Sequence, residues 1–307
     1  MSKPLPNFST LNIESILPFS KIRLVALDLD GTLLTSNDCN LPPKIIDFAK
    51  ILNIPKHDVR LTIATGRTLA GARDLLEALP IRKDTPIVLY NGNVVVNKRY
   101  EVLARSTIST ETLQKIVCLS SNFQVKVLAY SYDWLMNDEP AEFAVGWSSV
   151  DHPIFEYNKM PVAWRSWSEA IHGFTPSAIV IHTGGDEKIR MQLTKGLASM
   201  HDIYFTHGKT YIEVGPPTSN KGKALEYSAK LLGLSRDEVL AIGDNDNDAE
   251  MLAWAGIGVA VESASDLARE NSDYITKRGV ITGVIEVMRL IHSARRFFAS
   301  RAYSSCL

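Results

Sequence analysis

Short apolar runs alternate with longer amphipathic stretches in the first part of the chain. Residues 22–27 form an apolar run that is long enough for a buried strand and too short for a helix, and 59–64 predict a second strand. Helical patterns occupy 43–52 and 69–79, and a third short strand is predicted at 87–90. Strands that alternate with helices predict a parallel sheet with right-handed crossovers.

The same alternation returns after Pro216. The predicted strands and helices occupy, in chain order, residues 221–232, 239–242, 248–255, 257–261, 265–271, 274–275 and 280–291. The two outer blocks, 21–92 and 216–307, therefore predict one α/β core domain that is interrupted by an insertion.

Residues 93–215 do not continue the regular strand–helix alternation of the outer blocks, and they predict a separate α+β domain inserted into the core. Their predicted elements are strands at 94–96, 125–129 and 178–182, helices at 110–119 and 187–200, and a hairpin of 203–206 with 211–214. The stretch 131–175 is predicted to be irregular. We interpret its tryptophans as part of the core of the insert in preference to a surface for a sugar or an aromatic substrate. They are four of the five in the chain: Trp134, Trp147, Trp164 and Trp167.

Composition describes an ordinary soluble globular protein, with 45% hydrophobic and 22% charged residues. The net charge of -1 gives no electrostatic reason to expect nucleic acid or an anionic membrane as a partner. No apolar run approaches the ~18 residues of a spanning helix. Cys39, Cys118 and Cys306 form no Cys-x-x-Cys pair, which argues against a zinc site or a disulfide framework and predicts a reducing, cytoplasmic location.

The two ends of the chain carry weaker patterns. Residues 1–20 contain three prolines and no long apolar core, so we expect an N-terminal extension and not a signal peptide. Residues 295–307 are basic and contain two phenylalanines, and we expect them to form a frayed or loosely docked end.

Two carboxylates close the first predicted strand, at Asp28 and Asp30, and Gly31 and Thr32 follow them. Parallel sheets place their sites beyond the carboxyl ends of the strands. Residues two apart on an extended strand share a face, and two unit charges ~4 Å apart repel by roughly 4 kcal/mol at an effective dielectric of ~20. We therefore expect a cation beside them, although Asp-x-Asp alone is equally typical of a solvated acidic turn.

Three further stretches fall where a predicted strand ends or a helix begins. Thr65-Gly66-Arg67 offers a hydroxyl and backbone N–H groups, which favour an oxyanion at a helix start. Lys221 begins a helix and carries a compact charge suited to phosphate. The acidic run 243–248 contains Asp244, Asp246 and Asp248, whose oxygens suit a hard cation such as Mg²⁺. Each stretch alone has an ordinary structural explanation, and their common position at one sheet edge is what predicts a site.

These stretches resemble the motifs of the haloacid dehalogenase-like (HAD) phosphatase superfamily, and within it the Cof-type hydrolases. The matching stretches are residues 28–34, 64–67, 90–92, 220–222, 243–252, 255–260 and 279–280. The resemblance implies an α/β fold with a Rossmann-like parallel-sheet core. It covers most of the core, whereas the insert matches only in position and size, which resembles a type C2 cap. Glu262-Ser263 replaces a common Asn-Ala pair, so no role is transferred to it.

The resemblance also implies roles for individual residues. Asp28 would attack phosphorus and form an aspartyl-phosphate, and Asp30 would protonate the leaving oxygen and then activate water. Mg²⁺ would be held by Asp28, the main-chain carbonyl of Asp30, Asp244 and a water on Asp248. The residues expected to bind the phosphoryl group are Thr65, Gly66, Lys221 and Asn247.

We therefore expect a Mg²⁺-dependent phosphatase whose substrate is a small phosphate ester, either a sugar phosphate or a nucleotide-like phosphate. The insert would close over the core, exclude water and set substrate choice. The expected partners include neither nucleic acid nor a membrane, and the expected assembly is a monomer or a homodimer. Two alternatives stay open: a phosphotransferase such as a hexose phosphomutase, and a phospho-accepting signalling module, which would lack both the Asp-x-Asp-Gly-Thr motif and a cap.

Overall fold

A computed structural model describes residues 2–6, 13–35, 40–53, 58–134, 140–149 and 160–304. At 133–134, 140–141 and 301–304 it describes the backbone alone. The side chain of Trp134, together with Cys39 and Cys306, lies outside the described parts. None of the helices in these parts has the length and apolar character needed to cross a bilayer.

The described residues that precede the insert form three α-helices and four strands. In chain order they are β1 (Lys3–Pro4), α1 (Ile13–Lys21), β2 (Leu24–Leu27), α2 (Pro43–Leu52), β3 (Arg60–Ile63), α3 (Leu69–Ala78) and β4 (Ile87–Leu89). Pro43 opens α2, where its fixed φ and missing N–H suit the first turn. Thr68 caps α3, because its hydroxyl accepts the N–H of Gly71.

In the described part of the insert, two α-helices lie among the strands. In chain order the elements are β5 (Val94–Val96), β6 (Val102–Arg105), α4 (Thr110–Ser120), β7 (Lys126–Trp134), β8 (Pro140–Ser148), β9 (Val162–Trp164), β10 (Ala178–His182), α5 (Glu187–Leu197), β11 (Tyr204–His207) and β12 (Tyr211–Gly215).

The second outer block returns to alternating helices and strands, as predicted. Its elements are α6 (Lys221–Leu231), β13 (Val239–Gly243), α7 (Ala249–Trp254), β14 (Ile257–Ala260), α8 (Asp266–Glu270), β15 (Tyr274–Ile275) and α9 (Val280–Ser304).

The central sheet is parallel and has the strand order β1-β15-β14-β13-β2-β3. Leu27 at the end of β2 lies opposite Ile242 of β13 and Ile63 of β3, so the three strands end at one edge. All residues of β2 are buried, as expected for a strand covered on both faces. The predicted α/β fold with a parallel-sheet core is confirmed, and the sheet order explains why motifs from distant parts of the chain can meet.

The third predicted strand, β4, differs in its pairing. It pairs antiparallel with β5 in a three-stranded sheet, β4-β5-β6. Its link to the parallel sheet is the bridge between Ala64 and Val88, together with the bond from the Thr65 N–H to the Val88 carbonyl. The turn at Asn91 (φ 54°) and Gly92 (φ 98°) reverses the chain at once, which supplies β4 with an antiparallel neighbour.

The expectation of an irregular stretch at 131–175 was wrong in its first half. β7 and β8 form a long antiparallel hairpin within a six-stranded sheet of order β11-β12-β10-β7-β8-β9. Val127 and Ala129 of β7 pack with the helices of the insert, whereas Tyr130 and Tyr132 pack with the core. A strand buried on both faces loses the apolar–polar alternation that marks a half-exposed strand.

The tryptophans of the insert divide between two environments. Trp147 is fully buried in the apolar cluster of the insert, and Trp167 packs against that cluster, which confirms the core interpretation for both. Trp164 is 48% exposed, and the Lys126 ammonium lies 5.6 Å from the centre of its ring, so it is not a core residue.

The ends of the chain pack on the core more closely than expected. β1 pairs with β15 at the sheet edge, and α1 packs on α9. The expected frayed end is instead the last part of α9, in which Phe297 and Phe298 pack against the core. Arg295 of this helix donates to the carbonyls of Ser20 (3.0 Å) and Ile22 (2.8 Å). The apolar positions of the tail therefore continue the buried face of a helix.

Replacing Phe19 tests whether α1 belongs to the folded core. Its side chain is fully buried and its ring lies 5.5 Å from that of Tyr274. We expect Phe19→Ala to lower the free energy of unfolding in urea by about 3–5 kcal/mol, because it leaves a cavity. Leu17→Ala on the exposed side of the same helix should change it by about 0.5 kcal/mol or less. Equal losses in both variants would contradict this packing.

Candidate active site

Three carboxylates converge at the carboxyl edge of the parallel sheet. Asp28 follows β2, Asp244 follows β13, and Asp248 immediately precedes α7. One oxygen from each lies within 4.8 Å of the others. Because β2 and β13 are neighbours in register, the residues that follow them are brought together. The structure thus joins acidic residues that lie more than 200 positions apart in sequence.

Lys221 lies between two of these carboxylates at the start of α6. Its Nζ is 2.6 Å from an oxygen of Asp28 and 2.7 Å from an oxygen of Asp248, and the side chain is 1% exposed. Burial of an ammonium is tolerated here because two hydrogen-bonded carboxylates compensate it. In this structure the lysine, which we expected to bind phosphate, holds the nucleophile candidate.

Burial dominates the electrostatics of the cluster. It raises the pKa of Asp28 well above the ordinary value, and the charge of Asp248 adds to this effect while Lys221 opposes it. Burial and the charge of Asp248 also raise the pKa of Asp244, to about 6. Burial alone would lower the pKa of Lys221, but Asp248 and Asp28 outweigh it and the net shift is upward. One lysine thus faces three carboxylates, and the excess of negative charge favours a cation.

Local backbone geometry explains two residues of the first motif. Gly31 has φ +88°, and a Cβ there would lie 2.1 Å from an oxygen of Asp244, so a side chain cannot be accommodated. The Thr32 hydroxyl donates to Asp244 at 3.0 Å. The Asp-x-Asp-Gly-Thr motif therefore brings the carboxylate of Asp28 to Asp244 and, through Thr32, also orients Asp244.

Asp248 serves mainly to order the acidic loop. One of its oxygens accepts the N–H groups of Asp244 (2.9 Å) and Asn245 (3.1 Å), and the other is bonded to Lys221. Its side chain is fully buried. Asp28 and Asp244 are consequently the carboxylates with the better access to a cation, and a set of carboxylate oxygens suits Mg²⁺.

Asp30 lies apart from the cluster. Its carboxylate is 57% exposed and forms a two-point ion pair with Arg67, at 2.8 Å and 2.5 Å. Arg67 also donates to the carbonyl of Gly71 in α3. The side chain of Asp30 is therefore not a metal ligand in this arrangement, which leaves its main-chain carbonyl for that predicted role.

The predicted phosphate-binding residues surround the same edge. Thr65 is buried after β3, and its hydroxyl accepts the N–H of Arg67 at 3.1 Å. Asn247 donates to the side chain of Asn91 at 2.9 Å. A Cβ on Gly66 would lie 2.9 Å from that side chain, so only glycine lets the two loops approach so closely. The structure brings these residues near Asp28, whereas their roles toward phosphate stay predictions.

A cavity of about 440 Å³ separates the sheet edge from the insert. Asp28, Asp30 and Asn247 line it from the core. The side chains that line it from the insert belong to β7, β10, β12 and the turn before β12: Tyr130, Ala178, Val180, His182, Thr210, Tyr211 and Glu213. This wall combines aromatic, apolar and hydrogen-bonding groups.

Glu142 is a residue at this boundary that sequence reasoning missed. Its carboxylate, on β8, accepts the N–H groups of Leu69 and Ala70 at the start of α3 and the hydroxyl of Tyr90 (2.6 Å). These two N–H groups at the helix start therefore bind a carboxylate of the protein itself, whereas the expectation for the preceding stretch, Thr65-Gly66-Arg67, stays a prediction. Burial raises the pKa of Glu142, and its hydrogen bonds oppose that rise. The available signal was a lone carboxylate in the apolar sequence of 141–145.

The chain belongs to the haloacid dehalogenase-like hydrolases, whose family model matches residues 25–288. It is 28% identical over 271 residues to a 5-amino-6-(5-phospho-D-ribitylamino)uracil phosphatase of Bacillus subtilis, covering 87% of this chain and 95% of that protein. It is 29% identical over 247 residues to an HMP-PP phosphatase of an Enterobacter species, covering 79% and 85%. The predicted family resemblance is thus confirmed.

Solved structures agree with this assignment. A haloacid dehalogenase-like hydrolase from Bacteroides thetaiotaomicron superposes with a TM-score of 0.72 at 25% identity, covering 88% of this chain and 99% of that one. The family and the similar phosphatases together identify the chain as a phosphoric monoester hydrolase. That identification sets aside the signalling-module alternative.

Glu142 offers a test of the contact between insert and core. Glu142→Ala leaves three donors without their acceptor, and we expect it to lower the free energy of unfolding by roughly 2–3 kcal/mol. Glu142→Gln retains an acceptor oxygen and should lose less. Glu111→Ala, at a carboxylate that is 79% exposed, should leave stability nearly unchanged. Similar stability of Glu142→Ala and wild type would contradict the contact.

Asp244 predicts how stability without metal depends on pH. Its pKa is about 6 in the folded protein and 3.8 ordinarily, so the folded state binds more protons between roughly pH 4 and 6. The free energy of unfolding measured in EDTA should therefore fall as the pH rises through this window, by roughly 2–3 kcal/mol.

Two controls accompany this measurement. Mg²⁺ added at pH 7 should recover stability, because it binds the ionised carboxylates of the folded state. Asp244→Asn should show a flatter pH dependence in EDTA. An unchanged slope in that variant would assign the titration to other groups.

Proposed function

We propose that the protein is a Mg²⁺-dependent phosphatase that hydrolyses a small phosphorylated metabolite through an aspartyl-phosphate on Asp28. The observation that carries this proposal is the position of Asp28. Its carboxylate lines the cavity, is 4% exposed, and is held by Lys221 at 2.6 Å with Asp244 beside it. A buried carboxylate with a fixed orientation and a cationic partner is suited to attack on phosphorus.

Asp30 is proposed as the general acid and base. It lies two residues from the nucleophile and lines the same cavity. In the first step it would protonate the leaving oxygen, and in the second it would take the proton of the water that releases phosphate from Asp28. Its exposed ion pair with Arg67 keeps the carboxylate at the mouth of the cavity, where it is accessible to both water and substrate.

Asp28, Asp244 and the main-chain carbonyl of Asp30 would hold Mg²⁺, and Asp248 would order a water on the ion. When bound, the ion would neutralise negative charge on the phosphoryl oxygens. The residues proposed to bind those oxygens are Thr65, Gly66, Lys221 and Asn247. The ammonium of Lys221 would then donate both to the carboxylates of Asp28 and Asp248 and to the phosphoryl group.

The wall of the cavity supports a substrate with a polar ring or chain. Tyr130, His182 and Tyr211 offer ring faces and hydrogen-bonding tips, and Glu213 offers a carboxylate. Two of the similar proteins are named for phosphates of a ribitylamino-uracil and of HMP. We propose the corresponding range for this chain, namely nucleotide-like or sugar phosphates, with the insert selecting among them.

The remaining expectations are proposals of the same kind. We propose residues 21–92 and 216–307 as the catalytic core, residues 93–215 as the C2-type cap, and residues 1–20 as an extension of the core. The protein would act in the cytoplasm as a monomer or a homodimer.

Asp28→Asn tests the covalent mechanism. Because an amide is a far weaker nucleophile, we expect hydrolysis of p-nitrophenyl phosphate with Mg²⁺ to fall by at least about a thousandfold. Circular dichroism should show an unchanged fold, and Asp47→Asn, on the exposed side of α2, should keep wild-type turnover. Near-normal turnover in Asp28→Asn would eliminate the aspartyl-phosphate. Phosphate release without a bisphosphate activator would separate hydrolysis from phosphotransfer.

A further inference from the structure

The chain passes twice between the proposed core and the proposed insert, and one side chain connects the two crossings. The first crossing lies at Gly92 and Asn93, and the second runs through residues 215–220. The side-chain oxygen of Asn93 accepts from the hydroxyl of Ser219 at 2.5 Å. This hydrogen bond, which we call the crossing bond, joins residues that are 126 positions apart in sequence. A rotation of the insert about the core must take place at the crossings, so the bond lies where it would resist such a rotation.

The backbones of the two crossings also approach each other closely. Gly92 has φ +98°, and a Cβ there would lie 2.3 Å from the carbonyl oxygen of Asn220. A Cβ on Gly215 would lie 3.0 Å from the side-chain nitrogen of Asn93. Glycine permits both approaches. The prolines at 216–217 fix their own φ angles. The second crossing is therefore stiff, and the position of the first crossing relative to it depends on the contacts between them.

The amide of Asn93 has a fixed orientation. The residue is 4% exposed, and its side-chain nitrogen donates to the carbonyl of Ser177 at 2.8 Å. Because a carbonyl can only accept, the amide oxygen must face Ser219, and Ser219 must donate to it. The backbone carbonyl of Asn93 accepts the N–H of Ser106 at 2.8 Å. The insert thus holds Asn93 at two points and presents its amide oxygen to the second crossing.

The partners of Asn93 lie next to the two sides of the candidate site. Ser177 immediately precedes β10, the strand that carries three of the side chains lining the cavity. Ser219 lies two residues before Lys221, which begins α6 and whose ammonium is bonded to Asp28. Asn93 therefore connects the strand that forms part of the insert wall with the start of the helix that holds the nucleophile candidate.

We propose that Asn93 is a positioning residue for the reaction. Through Ser177 and Ser219 it sets the distance between the insert wall and Asp28, so that a leaving group can contact the wall while its phosphorus lies at the nucleophile. Without the crossing bond the insert keeps its other contacts, such as that of Glu142, and takes a wider range of positions over the core. The inference rests on the proposed function of the cavity.

Four variants separate the hydrogen bond from the shape of the residues. Ser219→Ala removes the donor, and Ser219→Thr retains a hydroxyl. Asn93→Asp keeps the shape of the side chain but places a carboxylate oxygen against the carbonyl of Ser177, where two acceptors meet. Ser272→Ala is the matched control. Ser272 is half-buried like Ser219, and its hydroxyl donates to the carbonyl of Arg269 at 3.0 Å, before β15 and at the opposite edge of the parallel sheet.

Spin labels report the position of the insert without any turnover. The native thiol of Cys118, on α4, is exposed and takes one label. Lys230→Cys, on the exposed side of α6, takes the second label on the core, in a chain that also carries Cys39→Ser and Cys306→Ser. We expect the distribution of label-to-label distances to broaden when the serine donor is lost or the amide is replaced. It should stay unchanged with threonine at the donor position and in the matched control.

Kinetics with Mg²⁺ present test the consequence for the site. On the proposed function, the ring of p-nitrophenyl phosphate extends toward the insert wall, whereas inorganic phosphate binds the core alone. Ser219→Ala should therefore lower kcat/KM for p-nitrophenyl phosphate roughly fivefold, the loss of about one hydrogen bond. Its inhibition constant for inorganic phosphate should stay near that of wild type. Ser219→Thr should match wild type in both measurements.

The proposal is overturned if Ser219→Ala keeps the wild-type distance distribution or the wild-type kcat/KM, or if it weakens inorganic phosphate as much as the ester. It is also overturned if Ser219→Thr or Ser272→Ala shows the same effects as Ser219→Ala. Urea unfolding of each variant identifies a loss that comes from the fold. If wild type hydrolyses p-nitrophenyl phosphate and Asp28→Asn does not, the proposed function stands even when the insert keeps its position in every variant.

Discussion

The site depends on mutual repulsion among carboxylates that the fold forces together. The parallel pairing of β2 with β13 places Asp28 and Asp244 side by side, and the loop before α7 adds Asp248. A single buried lysine, Lys221, compensates part of this charge through two short bonds. The remaining negative charge is an energetic cost of the cluster and favours the binding of a cation.

Much of the core could be predicted because its signals are local. Strands buried on both faces appear as continuous apolar runs, and the residues after them fall at one edge of a parallel sheet. Asp28 and Asp244 were predicted for this reason, Lys221 was predicted from its place at a helix start, and the structure brings the three together. Gly31 and Gly66 also have physical explanations, since each lets another side chain approach its backbone.

The insert was harder to predict because its contacts are made over long sequence distances. β7 packs on the helices of the insert with one face and on the core with the other, so its sequence lacks the alternation of a half-exposed strand. Glu142 binds Tyr90, which lies 52 residues away in sequence, and Glu213 binds Asn91, which lies 122 residues away. No spacing rule within a single segment identifies such pairs, and they become visible only when the two sheets are placed together. The helical tail beyond Arg295 escaped notice for the related reason that its partner is α1.

The contact of Glu142 with the first turn of α3 has a mechanical consequence. That turn directly follows Thr65, Gly66 and Arg67, so the strand that carries Glu142 and the loop proposed to bind phosphate are joined through two backbone groups. Any swing of the insert away from the core must either break these bonds or pull on that loop. On the proposed function, release of phosphate and movement of the insert would be coupled through these two bonds.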